Sequence, residues 1–244
     1  MNNKTPWYKG WFDSPYYHIL YKNRNEQEAK YFIDNLVNHL SMKKGDKVLD
    51  LACGKGRHAL QLHENGMEVI GVDLSSYSID QAKKYETEGL KFVRHDMREF
   101  YKKNYFDHVL NMFSSFGYFN NDEENKKVIN AAKFSLKKGG KFVLDFMNSE
   151  FVKKNMIKSE SLIREGIKFH VRREIKNNMI IKHIQFYSEG KSHEFEEKVR
   201  LLNKKDLREM ILSTGMNIID IMGDYDLNPF EEKNSERLII ISQK

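Results

Sequence analysis

The chain has 244 residues, 40% of them hydrophobic and 31% charged, with a formal net charge of +6. That length is ample for one large α/β domain with a buried core, or for one domain plus a small elaboration. No apolar run nears the length of a membrane helix, and the single cysteine, Cys53, excludes an internal disulfide and any Cys-based zinc site, so no metal is expected. The basic excess divides evenly on either side of residue 150 and is interleaved with acids, which argues against a dedicated nucleic-acid face.

Residues 1–20 set Trp7, Tyr8, Trp11, Phe12, Tyr16 and Tyr17 among polar neighbours, unlike the smooth apolar core of a signal peptide; the expected location is cytoplasmic. A first helix is read over 26–40, with Tyr31, Phe32, Leu36, Val37 and Leu40 on one face and Gly45 as a stop. Strand 47–51 then runs into a glycine turn and a helix over 57–65. A second strand, 68–73, leads to a helix over 76–88, and Phe92 and Val93 open a third strand. A fourth strand covers 106–113, and a helix over 122–136 begins with acids that suit its dipole. Lys138-Gly-Gly140 turns the chain into a fifth strand, 141–146. Strands joined by right-handed helical crossovers give a parallel sheet with helices on both faces.

Beyond residue 150 the period changes to alternation. Stretches 161–175 and 178–187 read as strands joined by a tight turn at Asn177-Asn178, and Glu189-Gly190 turns into a further strand, 192–202. A helix over 204–214 and strands at 217–221 and 237–241 close the chain.

The turn after the first strand, Ala52-Cys-Gly-Lys-Gly-Arg57, carries the most specific signal. Two glycines spaced by one residue let the backbone approach a ligand, and the following helix N-terminus favours an electronegative group. Asp73, ending the second strand, is placed to accept hydrogen bonds from ribose hydroxyls. Asp50 lies inside the strand, four residues before Gly54, and Ala59 stands where a dinucleotide fingerprint has its third glycine. A carboxylate there would repel a pyrophosphate but suits a cationic ammonium and sulfonium, which points to S-adenosylmethionine.

Val48-Leu-Asp-Leu-Ala-Cys-Gly-Lys-Gly-Arg-His58 resembles the first motif of the class I S-adenosylmethionine-dependent methyltransferases, and Val69-Ile-Gly-Val-Asp-Leu-Ser75 is similar to their second strand. His95-Asp96-Met97, the 106–118 stretch and the 136–145 stretch resemble later motifs in the same order. The resemblance covers 41–148 closely and 204–243 more loosely. It implies a Rossmann-like, doubly wound, seven-stranded sheet, mostly parallel with the last strand antiparallel, and a small antiparallel β insertion before the last helix. The expected divisions are 1–40, an aromatic lid and first helix; 41–150, the cofactor-binding core; 151–203, the insertion, acting as a substrate roof; and 204–244, the closing helix and strands.

Carried over residue by residue, the resemblance implies that Asp50, Ala52, Gly54 and Gly56 surround the amino-acid part of S-adenosylmethionine. Asp73 would hold the ribose and Leu74 flank the adenine. Asp96, with Met97 beside it, would meet the adenine amine, and Asn111 and Met112 lie near the methionine part and the methyl group. From the aromatic segment Tyr17, Tyr21, His18 or Arg24 would contribute, the alternative being that the segment only staples itself to the sheet. For the acceptor, His18, Tyr118 and Arg172 are candidates, with His170 and His183 as further possible bases; no catalytic residue is assigned. The expected partner is a small-molecule methyl acceptor, N- or O-methylated by a monomer or homodimer. An RNA or protein methyltransferase, a non-catalytic cofactor-binding module and a nicotinamide oxidoreductase stay open as alternatives.

Overall fold

The computed structural model describes residues 6–22, 26–119 and 121–244. Two short helices open it, α1 (Trp7–Phe12) and α2 (Pro15–Leu20), followed by α3 (Glu26–Leu40). The Ser14 side chain caps α2, accepting the Tyr16 N–H, and Pro15 occupies the first turn, where its missing N–H costs nothing. Alternation then begins with β1 (Lys47–Leu51), α4 (Arg57–Glu64), β2 (Glu68–Asp73), α5 (Ser76–Ala82), β3 (Leu90–Arg94), β4 (Phe106–Asn111), α6 (Asp122–Ser135) and β5 (Leu136–Met147).

After α7 (Ser149–Asn155) come the four strands β6 (Ser159–Arg164), β7 (Ile167–Lys176), β8 (Met179–Ser188) and β9 (Lys191–Arg200). The chain closes with α8 (Lys204–Ser213), β10 (Asn217–Met222) and β11 (Arg237–Gln243).

The main sheet runs β10-β11-β5-β4-β1-β2-β3, with β11 antiparallel to both its neighbours and the other pairs parallel. This is the seven-stranded, doubly wound α/β sheet expected from the sequence. Alternate residues of each strand feed opposite layers: Val48 packs with Ile33 and Leu36 of α3, while Leu49 packs with Val128 of α6 and Leu207 of α8. Asp50 shares the Val48 face and is therefore buried beneath the start of α4.

The second sheet is the antiparallel meander β6-β7-β8-β9. Asn177 and Asn178, both with positive φ, turn β7 into β8, and Glu189-Gly190 turns β8 into β9. Where one long strand was read over 161–175, the left-handed pair Glu165-Gly166 breaks it into β6 and β7. Three other expectations are corrected. Helix α5 stops at Ala82, six residues short of the expected end, and a single 3-10 turn follows. Strand β5 begins at Leu136 and absorbs Gly139-Gly140 in an irregularity against β4. Tyr31 is half exposed, its hydroxyl bonded to Asp226, while Ala29 and Ile33 take the buried face of α3.

The inner face of the second sheet forms its own core with the amino-terminal helices: Trp11 and Leu20 pack on Phe169, Val171, Ile184 and Phe186. Glu197 of β9 fastens the two together, accepting from Trp11 Nε1 (2.7 Å), the Tyr21 hydroxyl (2.7 Å) and Lys182 Nζ (2.7 Å). No helix among the described residues is long and apolar enough to cross a membrane.

Candidate active site

Along the turn after β1, left-handed residues alternate: Ala52 (φ 57°), Gly54 (φ 57°) and Gly56 (φ 86°). The two glycines serve different ends. A Cβ on Gly54 would meet nothing within 4 Å, so that position leaves space for a ligand, whereas a Cβ on Gly56 would lie 2.6 Å from the Phe92 ring. Gly56 therefore lets the turn pack on the sheet.

Asp73 at the end of β2 braces this turn. Its carboxylate accepts the N–H of Gly54 (2.8 Å) and of Ser75 (2.8 Å). Burial pushes its carboxyl up, and the N–H donors of Ser75 and Gly54 restrain the rise. Asp50 is more perturbed. It is 1% exposed, its Oδ2 has no hydrogen-bond partner, and burial, followed by the charge of Asp73, pushes its carboxyl up to about 7. Arg57 and the Ala59 N–H act in the opposite direction without cancelling the burial. Burial and the same two acids raise the Cys53 thiol well above its ordinary range, so it stays protonated and is a poor nucleophile.

A cavity of about 430 Å³ opens at the carboxyl ends of β1 to β4, where ligands of doubly wound sheets bind. The structure brings together on its wall Tyr17, His18, Tyr21, Ala52, Gly54, Asp73, Leu74, Asp96, Met97, Met112 and Tyr118. Asp50, Gly56 and Asn111 stand behind that wall. Asn111 is fully buried and its amide donates to the carbonyls of Leu51 (3.1 Å) and Ser115 (3.2 Å), tying β1 to the loop after β4. Asp96 is held by Arg98 (2.6 Å), which also reaches Glu124 (2.6 Å). Burial opposes its ionisation, yet the Arg98 contacts keep its carboxyl below the ordinary range.

Arg172 reaches neither this cavity nor its neighbour: strand alternation turns it to the outer face of the second sheet, and Arg173 points inward instead. His170 and His183 share that outer face, the former bonded to Ser161 (3.0 Å), the latter between Glu174 (3.1 Å) and Glu196 (3.1 Å). Arg24 lies outside the described residues.

The ceiling is α1 and α2. Asp13 pins them to the core, accepting from the Ser75 hydroxyl (2.9 Å) and the Tyr77 N–H (2.9 Å), and His18 stacks on Tyr77 with 4.8 Å between ring centroids. Phe12, Asp13 and Phe113 also line the cavity and were not singled out from the sequence. Asp13-Ser14-Pro15 was a readable helix start, but Phe113 carries no local signal. It adopts φ 57° because its N–H donates to the buried Asp145 carboxylate (2.7 Å), which Arg237 also grips (2.7 Å).

A doubly wound sheet with a glycine turn, an acid ending β2 and a cavity at the switch point defines a nucleoside-binding α/β protein. A methyltransferase-domain family model matches residues 48–140. The glycine/sarcosine N-methyltransferase of Aphanothece halophytica is 29% identical over 147 residues, 58% of this chain and 54% of that protein. The chain spans about half the length, or less, of the curated relatives it matches. Among solved structures, an S-adenosylmethionine-dependent methyltransferase from Clostridium acetobutylicum superposes with a TM-score of 0.78 at 21% identity, covering 93% of this chain and 95% of that one. The sugar N-methyltransferase KedS8 from a Streptoalloteichus species gives 0.73 at 19% identity, covering 93% and 92%. Residues 48–140 thus match a methyltransferase domain, and the chain as a whole has the fold of S-adenosylmethionine-dependent methyltransferases.

Proposed function

We propose that the chain transfers the methyl group of S-adenosylmethionine to a small molecule. The observation that carries this reading is the pairing of a buried, unpartnered carboxylate oxygen on Asp50 with an open backbone cradle at Gly54, both beside Asp73. This donor set fits a cationic nucleoside. Asp50 keeps a buried carboxylate oxygen with no hydrogen-bond partner, its charge only partly offset by Arg57, and Asp73 retains acceptor capacity beyond its backbone N–H bonds. In this reading Asp50 acts from behind the wall on the amino-acid part, Asp73 binds the ribose, Leu74 and Met97 flank the adenine, and Asp96 meets its amine. Bound there, S-adenosylmethionine supplies an activated methyl group on a sulfonium.

The chain's own residues then have three tasks. The turn at 52–56 and Asp73 fix the nucleoside, Phe12, Tyr17 and Tyr21 exclude water, and the faces of those rings favour a positive centre beneath them. The ceiling formed by α1 and α2 supports a small acceptor over a polymer, and the likeness to a glycine/sarcosine N-methyltransferase and to a sugar N-methyltransferase agrees with that choice. Calorimetry of the ligand-stripped chain should give saturable binding of S-adenosylmethionine and of S-adenosylhomocysteine, with release of the latter on turnover. Absence of any binding would refute the reading.

A further inference from the structure

A second cavity, of about 460 Å³, lies between α1 and α2, the loop after β4, α7 and the inner face of the second sheet. It is large enough for a drug-sized molecule. The residues it shares with the first cavity are Phe12, Tyr17, Tyr21, Phe113 and Tyr118, every one aromatic. The two chambers therefore adjoin, with these rings between them. The far wall is apolar, formed by Met147, Phe151, Val152, Met156 and Ile180.

Its charges are already matched. Lys182 pairs with Glu197 at 2.7 Å and Arg173 pairs with Glu160, all four side chains largely buried. Neither cation is left over for a phosphate, whose capture would require breaking a buried pair. Among the described residues, neither a histidine nor a cysteine lines this chamber. Glu197 is a poor base: burial raises its carboxyl, but Lys182 and the Trp11 and Tyr21 donors hold it below the ordinary range. A hydroxyl acceptor needs a base to take its proton, whereas an amine arriving neutral does not.

Resting on the methyl-transfer reading above, we propose that this second chamber holds the methyl acceptor, and that the acceptor is an amine on an apolar body without phosphate. The nitrogen lone pair forms the new N–C bond as the S–C bond breaks and its electron pair returns to sulfur. The product leaves as an ammonium ion, the acceptor having given its proton to water before it bound as the neutral amine. While bound, that charge faces the aromatic rings between the chambers, which favour it.

The test uses the full chain with S-adenosylmethionine and three probes: phenethylamine, phenethyl alcohol and phosphoethanolamine. Formation of S-adenosylhomocysteine is expected with phenethylamine, rising with pH as the amine loses its proton, and not with the other two. Ile180→Trp and Val152→Trp, which fill the chamber from two different elements, should each lower that rate about tenfold with cofactor affinity unchanged. Methylation of the alcohol or of phosphoethanolamine at an equal or higher rate overturns the proposal, as do two filling variants that both react normally. Failure to bind S-adenosylmethionine would instead bring down the methyl-transfer reading itself.

Discussion

Replacing Asp50 by Asn removes a buried charge while keeping the size and an acceptor for the Ala59 N–H. The wild-type carboxyl moves from the ordinary 3.8 of an unfolded chain to about 7 in the fold. At about 1.4 kcal/mol per tenfold change in proton affinity, this amounts to up to about 4 kcal/mol. The sign follows from the raised value. Between these two pKa values the folded protein holds a proton that the unfolded chain releases, so the ligand-free protein loses stability as pH rises through that window and levels off above about 7. Asp50→Asn should abolish this slope, leaving the variant more stable than wild type at about pH 8 and nearly equal at low pH. Cofactor affinity should respond oppositely. In wild type a cationic ligand favours the ionised form, so binding strengthens as pH rises towards neutrality; the variant should bind more weakly and without that dependence. Urea unfolding and calorimetry at both pH values measure the two effects. A variant with the wild-type stability slope, or one destabilised at high pH, would refute the argument.

Asp73→Ala removes the acceptor shared by Gly54 and Ser75 and should weaken S-adenosylmethionine binding by about 1–3 kcal/mol in calorimetry. The two turn glycines should separate: Gly54→Ala should fold with a stability loss of about 1 kcal/mol yet bind cofactor poorly. Gly56→Ala should cost about 2–3 kcal/mol in chemical denaturation, part of it recovered by Phe92→Leu. Arg237→Met strands the fully buried Asp145 and should destabilise the protein by about 3–5 kcal/mol, with Arg237→Lys intermediate; a loss below about 1 kcal/mol would contradict the pairing.

The main sheet was legible because its information is local. Short apolar runs, glycine turns and the spacing from Gly54 to Asp73 lie within single crossovers, and the Asn177-Asn178 turn carries its own backbone preference. The misreadings arise where long-range packing decides. Arg172 and Arg173 are chemically alike, and only the register of β7 against β8 determines which one faces inward. The break at Glu165-Gly166 sits inside a continuous alternating pattern, and the alternation carries on past it. Phe113 owes its place between the chambers to Asp145 and Arg237, 32 and 124 residues further along the chain, and no window of sequence joins them. The aromatic residues at the amino terminus stood out in composition, but their partner surface is made by strands that begin at residue 159.

Glu197 joins Trp11 and Tyr21 to Lys182, so the start of the chain and the meander behave as one jointed unit, although more than 160 residues separate them. Anyone wishing to retune acceptor choice by exchanging parts with a relative must transplant both segments together. A chimera receiving the meander alone would bring a foreign carboxylate face against native indole and phenol, leaving donors stranded in a dry seam.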